Sequence, residues 1–374
     1  MTQLKAATYG ESLGGNIAKI VSNVINARGA QENARGGNID VSGSLPYELP
    51  LVGMGTLFKH ALGSNTTGQD ATQPSSITGV EVLYAEAGAT TGDGTLSYTN
   101  SSTSLTWAAS GDTAGSAVDV SGGGDFTLES STDGSFLKVR VTAGSLPGSD
   151  QSDTITVSSS HKHRIIRGTL PTGLSIEKAF TDINQYIVFK GCKINQLSVE
   201  VGNSGLASGS LDLMGKKFAV NTSQLGSPSK PTHNPFIHHE ATVDEGGSTT
   251  TVQALSMQVM NNLDGDNYPV GSAERYALPE GDGDLTGQAS FFFEDATYLD
   301  KWRNETESSL QVAFSNSSGS VTFKMPKIKY FEAGIPMLES AQGIVLPLNY
   351  QALASDDADN TDLVVEIVND QASI

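Results

Sequence analysis

The sequence predicts a mainly β protein: a β-sandwich or barrel subunit with one or two short α-helices, interrupted by a small Ig-like β-sandwich. Three observations lead there. The 374 residues include 41 glycines, with many Ser and Thr among them, a composition that favours short strands and turns over helices. Apolar and polar residues alternate in many short runs, the period of a strand with one dry and one wet face. The longest runs form two matching ladders, each folded at a turn or loop of small residues.

From the N-terminus, the arm through about Glu32 is polar and glycine-dotted, with one β-like run from Lys19 to Ile25. Gly37 to Leu49 alternates as a half-wet strand. Leu51 to Leu62 places Met54, Leu57, Phe58 and Ala61 at helical spacing and stops at Gly63, a natural helix end. Between Lys59 and Lys138 there is no Lys or Arg, while Glu81, Glu86, Asp93, Asp112, Asp119, Asp125, Glu129 and Asp133 continue. That shift marks a module. Its flanks, Ser64 to Ser76 and Ser158 to Ser160, are Ser/Thr-rich and read as linkers.

Inside the module, alternating runs recur at Val80 to Tyr84, Thr95 to Tyr98, Ser104 to Trp107, Ala117 to Val120, Phe126 to Glu129, Leu137 to Val141 and Thr154 to Val157. Clusters such as Gly122-Gly123-Gly124 separate them. Roughly seven short strands at this spacing form the pattern of a small Ig-like sandwich, with Trp107, Phe126, Leu137, Val139 and Val141 as its core. The expected organisation is a discontinuous main domain, 1–76 and 158–374, with 77–157 inserted. Such an insertion costs little when its two ends adjoin on the surface.

After the module, Leu174 to Phe180 and Tyr186 to Lys190 are strand-like. The first ladder runs from Cys192 to Val201, turns at Gly202-Asn203-Ser204-Gly205, and resumes from Ala207 to Leu213. The second runs from Val252 to Asn261 and, after a long loop from Leu263 to Gly283, resumes from Asp284 to Phe291. Asp295 to Thr306 fits a second short helix with Tyr298, Leu299 and Trp302 on one face. Leu310 to Phe314, Ser320 to Tyr330, Leu346 to Ala354 and Asp362 to Val368 complete the strands.

Composition narrows the function. With 22 Lys and Arg against 41 Asp and Glu, the net charge is −19. That argues against a surface that grips nucleic acid, yet not against one that nucleic acid must slide past. The single cysteine, Cys192, forms neither an intramolecular disulfide nor a multi-cysteine zinc site. It reads as a buried, inert thiol. The N-terminus lacks an apolar signal core and no run approaches membrane-spanning length, so the expectation is a soluble protein made in the cytoplasm, without export or membrane insertion.

No catalytic grouping is readable. His161-Lys162-His163 and His238-His239-Glu240 are the only histidine clusters; two ligands do not make a metal site, and a surface or interface strand is the simpler reading. Asp264-Gly265-Asp266 and the acidic run Asp356 to Asp362 lack the spacing of a calcium loop and read as solvated loops. Gly122-Gly123-Gly124 is followed by no Lys-Ser/Thr and opens no helix, so it is no phosphate loop. No catalytic residue, cofactor or metal is therefore expected.

Seven segments in order resemble the tail tube proteins of long-tailed, siphovirus-type bacteriophages. They are Ser44 to Leu49, Leu57 to Gly63, Leu170 to Lys178, Tyr186 to Asn195, Val259 to Leu263, Leu285 to Asp295 and Lys324 to Lys329. The departure from the family pattern is the acidic module, where relatives pass from helix to strand through a short loop. The resemblance implies a structural virion protein whose subunits form hexameric rings, stacked into a hollow tube through which DNA leaves for the host. Four ladder strands per subunit would contribute to a shared barrel. Its wet, lumen-facing side would comprise Ser198, Glu200, Ser210, Asp212, Ser256, Gln258, Thr286, Gln288 and Ser290, with no Lys or Arg.

The implied partners are further copies of the chain, other tail proteins (tape measure, tail terminator, distal tail protein) and double-stranded DNA in transit. The implied location is the virion tail, assembled in the host cytoplasm. A ladder wall with open edges needs them paired, and the N-terminal arm, the loop from Leu263 to Gly283 and the C-terminal tail are the expected ring-to-ring contacts. The competing expectation from composition is a cell-surface adhesin or S-layer-like β-sandwich protein.

Overall fold

The computed structural model describes residues 10–23, 33–132, 134–227, 234–333 and 344–374. The first strands are β1 (Gly14–Val21) and β2 (Ala34–Glu48), followed by α1 (Met54–Leu62) and β3 (Gly63–Ala71). Next come β4 (Val80–Ala85), β5 (Gly92–Thr99), β6 (Ser104–Ala108), β7 (Val118–Asp119), β8 (Gly124–Glu129) and β9 (Phe136–Val141). The long β10 (Gln151–Arg167) precedes β11 (Leu174–Phe180), β12 (Gln185–Val201), β13 (Ser208–Gly215) and β14 (Lys217–Asn221). The chain closes through β15 (Ala241–Glu245), β16 (Ser248–Thr250), β17 (Val252–Met260), β18 (Asp284–Phe292), α2 (Thr297–Arg303), β19 (Ser308–Asn316), β20 (Gly319–Ala333), β21 (Val345–Ala352) and β22 (Val364–Asn369). The mainly β fold with two short helices is as the alternation predicts.

The strands pair antiparallel along one path: β1, β2, β13, β12, β17, β18, β21 and β20. From β20 the path forks to β19, β15 and β16 on one side, and to β22, β10 and β3 on the other. The dry faces of both stretches meet in one hydrophobic core: Leu197, Val199, Leu211 and Met257 from the first, Phe314, Phe323 and Val365 from the second. Helix α1 drives Phe58, fully buried, edge-on against Phe323 at 5.6 Å between ring centroids.

A second core gathers Ala71, Ile77, Trp107, Leu128, Leu137, Val139, Val141 and Ile155. Of its expected members, Phe126 is only partly buried and packs against the cluster. The flanks of this stretch are not linkers. Ser158 to Ser160 lie inside β10, and Ser64 to Ala71 form β3, the two pairing from Arg167↔Gly63 to His161↔Gln69 and, past a bulge, at Val157↔Ala71. Hydroxyl-rich sequence suits a strand when the side chains find partners. Here Gln69 Nε2 donates to the Ser158 carbonyl at 3.0 Å and the Thr67 hydroxyl lies 3.0 Å from His163 Nδ1.

Both helices are shorter than their apolar spacing suggests. Gly53 has a left-handed φ of 96° just before α1, so Leu51 is buried core but not helical. At α2, the Asp295 carboxylate accepts the Thr297 N–H at 2.7 Å and so sets the start inside the expected span. Glu305, with φ 52°, follows its end.

Candidate functional site

The four ladder strands lie side by side in the order β13, β12, β17, β18. Register alone brings their polar residues into lateral rows. Ser208, Glu200, Ser256 and Gln288 are successive cross-strand partners, and so are Ser210, Ser198, Gln258 and Thr286. Asp212 is opposite Gln196, and Ser290 is opposite Ala254. All nine residues expected on the wet face are exposed or half-buried. The alternate set is dry: Leu197, Val199, Leu211, Leu213, Met257 and Leu285 are all at most 2% exposed. A one-residue slip would reverse both faces, so burial settles which side chains share a face.

The wall is wider than four strands. β2 pairs the outer edge of β13, from Ser208↔Glu48 to Gly215↔Val41, and β21 pairs the outer edge of β18, from Phe292↔Val345 to Thr286↔Gln351. The two edges expected to be open are therefore filled by the chain's own strands. The polar rows run on through Ser44 and Glu48 on one side, Asn349, Gln351 and Glu332 on the other. The alternation in Gly37–Leu49 and Leu346–Ala354 carries this signal, but a pattern of period two does not say which strands become neighbours.

A two-fold motif closes the wall. At Gly209 the Tyr47 ring crosses the glycine and donates its hydroxyl to the Ser198 carbonyl at 2.6 Å. At Gly287 the Tyr350 ring does the same to the Ser256 carbonyl at 3.0 Å. Each flanking strand is thus bonded across a ladder strand to the strand beyond. Burial pushes both phenols well above their ordinary range, and at Tyr47 the nearby Glu200 adds to it, so both remain donors. On the wet side, the Ser198 and Ser210 hydroxyls lie 3.0 Å apart, Gln288 Nε2 donates to Asn349 Oδ1 at 2.9 Å, and Asn349 Nδ2 donates to Glu332 Oε2 at 3.1 Å. Acidic Glu48, Glu200, Asp212 and Asp284 lie in these rows. At the margin, Lys329 is partnered with Gln351 in the register and ion-paired to Glu307 at 3.3 Å.

Other expected features land elsewhere. The loop between β17 and β18 folds back on its own chain. The Arg275 guanidinium is buried, donates to the Gly265 carbonyl at 2.6 Å and the Gly215 carbonyl at 2.8 Å, and pairs with Asp40. Tyr268 donates to the Ile39 carbonyl at 2.9 Å. Of the N-terminal arm, residues 1–9 and 24–32 lie outside the described residues; in the remainder Leu13 is buried in the main core and Gly14–Val21 form β1, which pairs β2 and is exposed throughout. Cys192 is fully buried, and burial pushes its thiol up to about 12.

His161 to His163 lie not on a surface strand but inside β10, flanked by β3 and β22, whereas His238–Glu240 form a 3-10 turn with His239 exposed. His163 is buried, with Nε2 2.8 Å from the Gln371 carbonyl, and burial lowers its pKa. Lys162 beside it is buried and pairs with Glu366 at 3.4 Å. No group of metal-ligating side chains forms among the described residues.

Asp356 to Asp362 is a solvated loop only in part: Asp356, Asp357, Ala358 and Asn360 are exposed, but Asp359 and Asp362 turn inward. The Asp359 carboxylate, 7% exposed, pairs with Arg140 at 2.7 Å and with Arg164, and Asp362 pairs with Arg167 at 2.6 Å. Arg140, on β9, also holds Asp125 at 2.7 Å and Asp357 at 2.8 Å. Lys324 spans Glu81 at 3.2 Å and Glu366 at 3.0 Å. The two cores are thus joined by a buried ionic cluster whose members are scattered over most of the sequence. No motif could have announced it.

A sealed, many-stranded wall with one polar face is the build of a surface-forming structural protein. The sequence matches the phage tail tube protein family over residues 2–352, and the chain belongs to that family. No curated protein matches the chain. It is a structural component of the virion tail, not an enzyme, and the family favours this over the surface-adhesin reading. Membership implies self-assembly and association with other tail proteins. Among the described residues, no helix is long and apolar enough to cross a membrane.

Proposed function

We propose that the polar wall lines the channel of a tube made of stacked hexameric rings, and that double-stranded DNA passes along it into the host. The observation that supports this most is the row pattern. Ser198, Glu200, Ser210, Asp212, Ser256, Gln258, Thr286, Gln288 and Ser290 share one non-buried face across four adjacent strands, and no Lys or Arg is among them. Such a lining repels phosphate weakly, and the lysines at its margin, Lys193 and Lys329, are already paired with Glu280 and Glu307, so DNA moves without being held. Four strands from each of six subunits make a barrel of about 24 strands. At ~4.8 Å spacing and ~40° tilt its backbone diameter is ~48 Å. Counting β2 and β21 as well gives about 36 strands and ~72 Å. The tube's bore therefore reads out how many strands each subunit commits.

Glu200→Lys with Asp212→Lys tests the lining. Both side chains lie on the wet face, so folding and assembly should be unchanged. DNA ejection from particles carrying the variant, followed by dye fluorescence, should slow, and added salt should restore it. Ejection at the normal rate at low salt would place this face outside the channel.

Residues 77–157 form an outward decoration in this reading. They contain ten acidic residues against Lys138 and Arg140, and a second hydrophobic core lies within and just beside them. Removing 73–159 and joining the ends with a Gly-Ser turn should still yield tubes, thinner by the width of a small domain. The excised module should unfold cooperatively on its own. Loss of tubes with the remainder folded would make the module part of the ring contact.

A further inference from the structure

We infer that the lysine-lined pocket at the bend of β12 receives a carboxylate-bearing segment of a second copy of this chain. The pocket, about 450 Å³, is bounded by Lys190, Lys216, Lys217, Glu274, Pro269 and Tyr276. Backbone geometry forces the cations together. Lys190 is directly opposite Lys217 in the β12–β14 ladder, and the Lys216 N–H donates to the Lys190 carbonyl at 3.1 Å. Like charges directly opposite in a ladder are destabilising. One carboxylate answers the three ammonium groups: Glu274 pairs with Lys217 at 2.9 Å. Lys216 Nζ donates to the Tyr276 carbonyl at 2.6 Å, which holds its stem across the pocket and leaves two N–H groups free. Among the described residues, Lys190 and Lys216 have no ion-pair partner, whereas neighbouring Lys178, Lys193 and Arg275 pair with Glu11, Glu280 and Asp40.

This surplus of cation stands out in a chain with 41 acidic residues against 22 basic ones. A second copy carries the matching surplus of carboxylate, and charge complementarity of this kind sets register and partner choice more than raw affinity. Duplex DNA fits worse. Three lysines are too few to follow a phosphate backbone, and the loop that supplies Pro269, Glu274 and Tyr276 also carries exposed Asp264, Asp266 and Asp282, which disfavour one. The inference rests on the self-assembly proposed above, and it names a contact that the channel lining does not involve.

The test compares wild type with Lys190→Glu/Lys216→Glu by sedimentation and electron microscopy at low salt. Thermal unfolding serves as the check on folding, and fluorescence anisotropy with a labelled DNA duplex as the check on binding. The inference predicts a folded double variant whose half-maximal assembly concentration rises about tenfold or more, with Lys190→Arg/Lys216→Arg close to wild type. Assembly of the glutamate variant at the wild-type concentration would overturn it. So would DNA binding by wild type that the variant loses, which would assign the pocket to nucleic acid. Wild type that forms neither rings nor tubes would overturn the tube reading itself. If the glutamate variant does not fold, Lys190→Gln/Lys216→Gln, which adds no charge, gives the same comparison.

Discussion

Asp359→Ala should lower the unfolding free energy by about 3–5 kcal/mol, the range for stripping one partner from a buried ionic cluster. The carboxylate is 7% exposed and lies between the guanidiniums of Arg140 and Arg164. Without it, two buried cations face each other, and Arg140 keeps only Asp125 and Asp357. Asp356→Ala, in the same loop but 87% exposed beside Lys327, should cost no more than about 0.5 kcal/mol. Urea midpoints for the two variants make the comparison. Equal, small losses would mean that the cluster does not hold the two cores together.

The same cluster fixes a pH dependence. Burial pushes the Asp359 carboxyl up, but Arg164 and Arg140 outweigh it and hold the carboxyl well below the usual carboxylate range. At Glu366 burial is likewise outweighed, by Lys162, Lys324 and Arg164. A folded pKa below the unfolded one, about 4, gives stability that is complete above that pH. It drains as pH falls through the lower folded value. The wild type should therefore lose stability below about pH 4, and Asp359→Ala should show a shallower decline there.

Gly287→Ala and Gly209→Ala should each destabilise toward the upper end of the about 1–3 kcal/mol typical of overpacking. A methyl on Gly287 would lie 2.3 Å from the Ser256 carbonyl oxygen and 2.4 Å from the Tyr350 ring. On Gly209 it would lie 2.0 Å from the Ser198 carbonyl oxygen. Either the flanking tyrosine leaves or the wall spreads. Tyr350→Phe, which keeps the ring and drops one hydrogen bond, should cost only about 0.5–1.5 kcal/mol. Thermal unfolding that ranks the phenylalanine variant below the alanine variants would show that the hydroxyl, not the close approach, secures the edge.

Most of the wall was legible because its signal is local. Alternation in Cys192–Val201 and Val252–Asn261 states which residues share a face, and burial of Leu197, Val199, Met257 and Val259 agrees. What alternation lacks is neighbour identity. Nothing in Gly37–Leu49 or Leu346–Ala354 says that each would cover an edge of the ladders, since strand pairing is set by long-range packing. The acidic run around Asp359 misled for the same reason. Charge density suggested solvent, whereas its cations sit on β9 and β10, about 200 residues away in the chain. Serine-rich Ser158–Ser160 read as a linker because composition cannot see that β3 lies alongside.

Cryo-electron microscopy of the purified, assembled protein tests the central claim most directly. The account predicts hollow tubes of stacked six-fold rings, with Ser198, Glu200, Gln258 and Gln288 on the inner surface and residues 77–157 projecting outside. Tubes whose inner surface is built from other strands, or a protein that stays as single particles at high concentration, would contradict it.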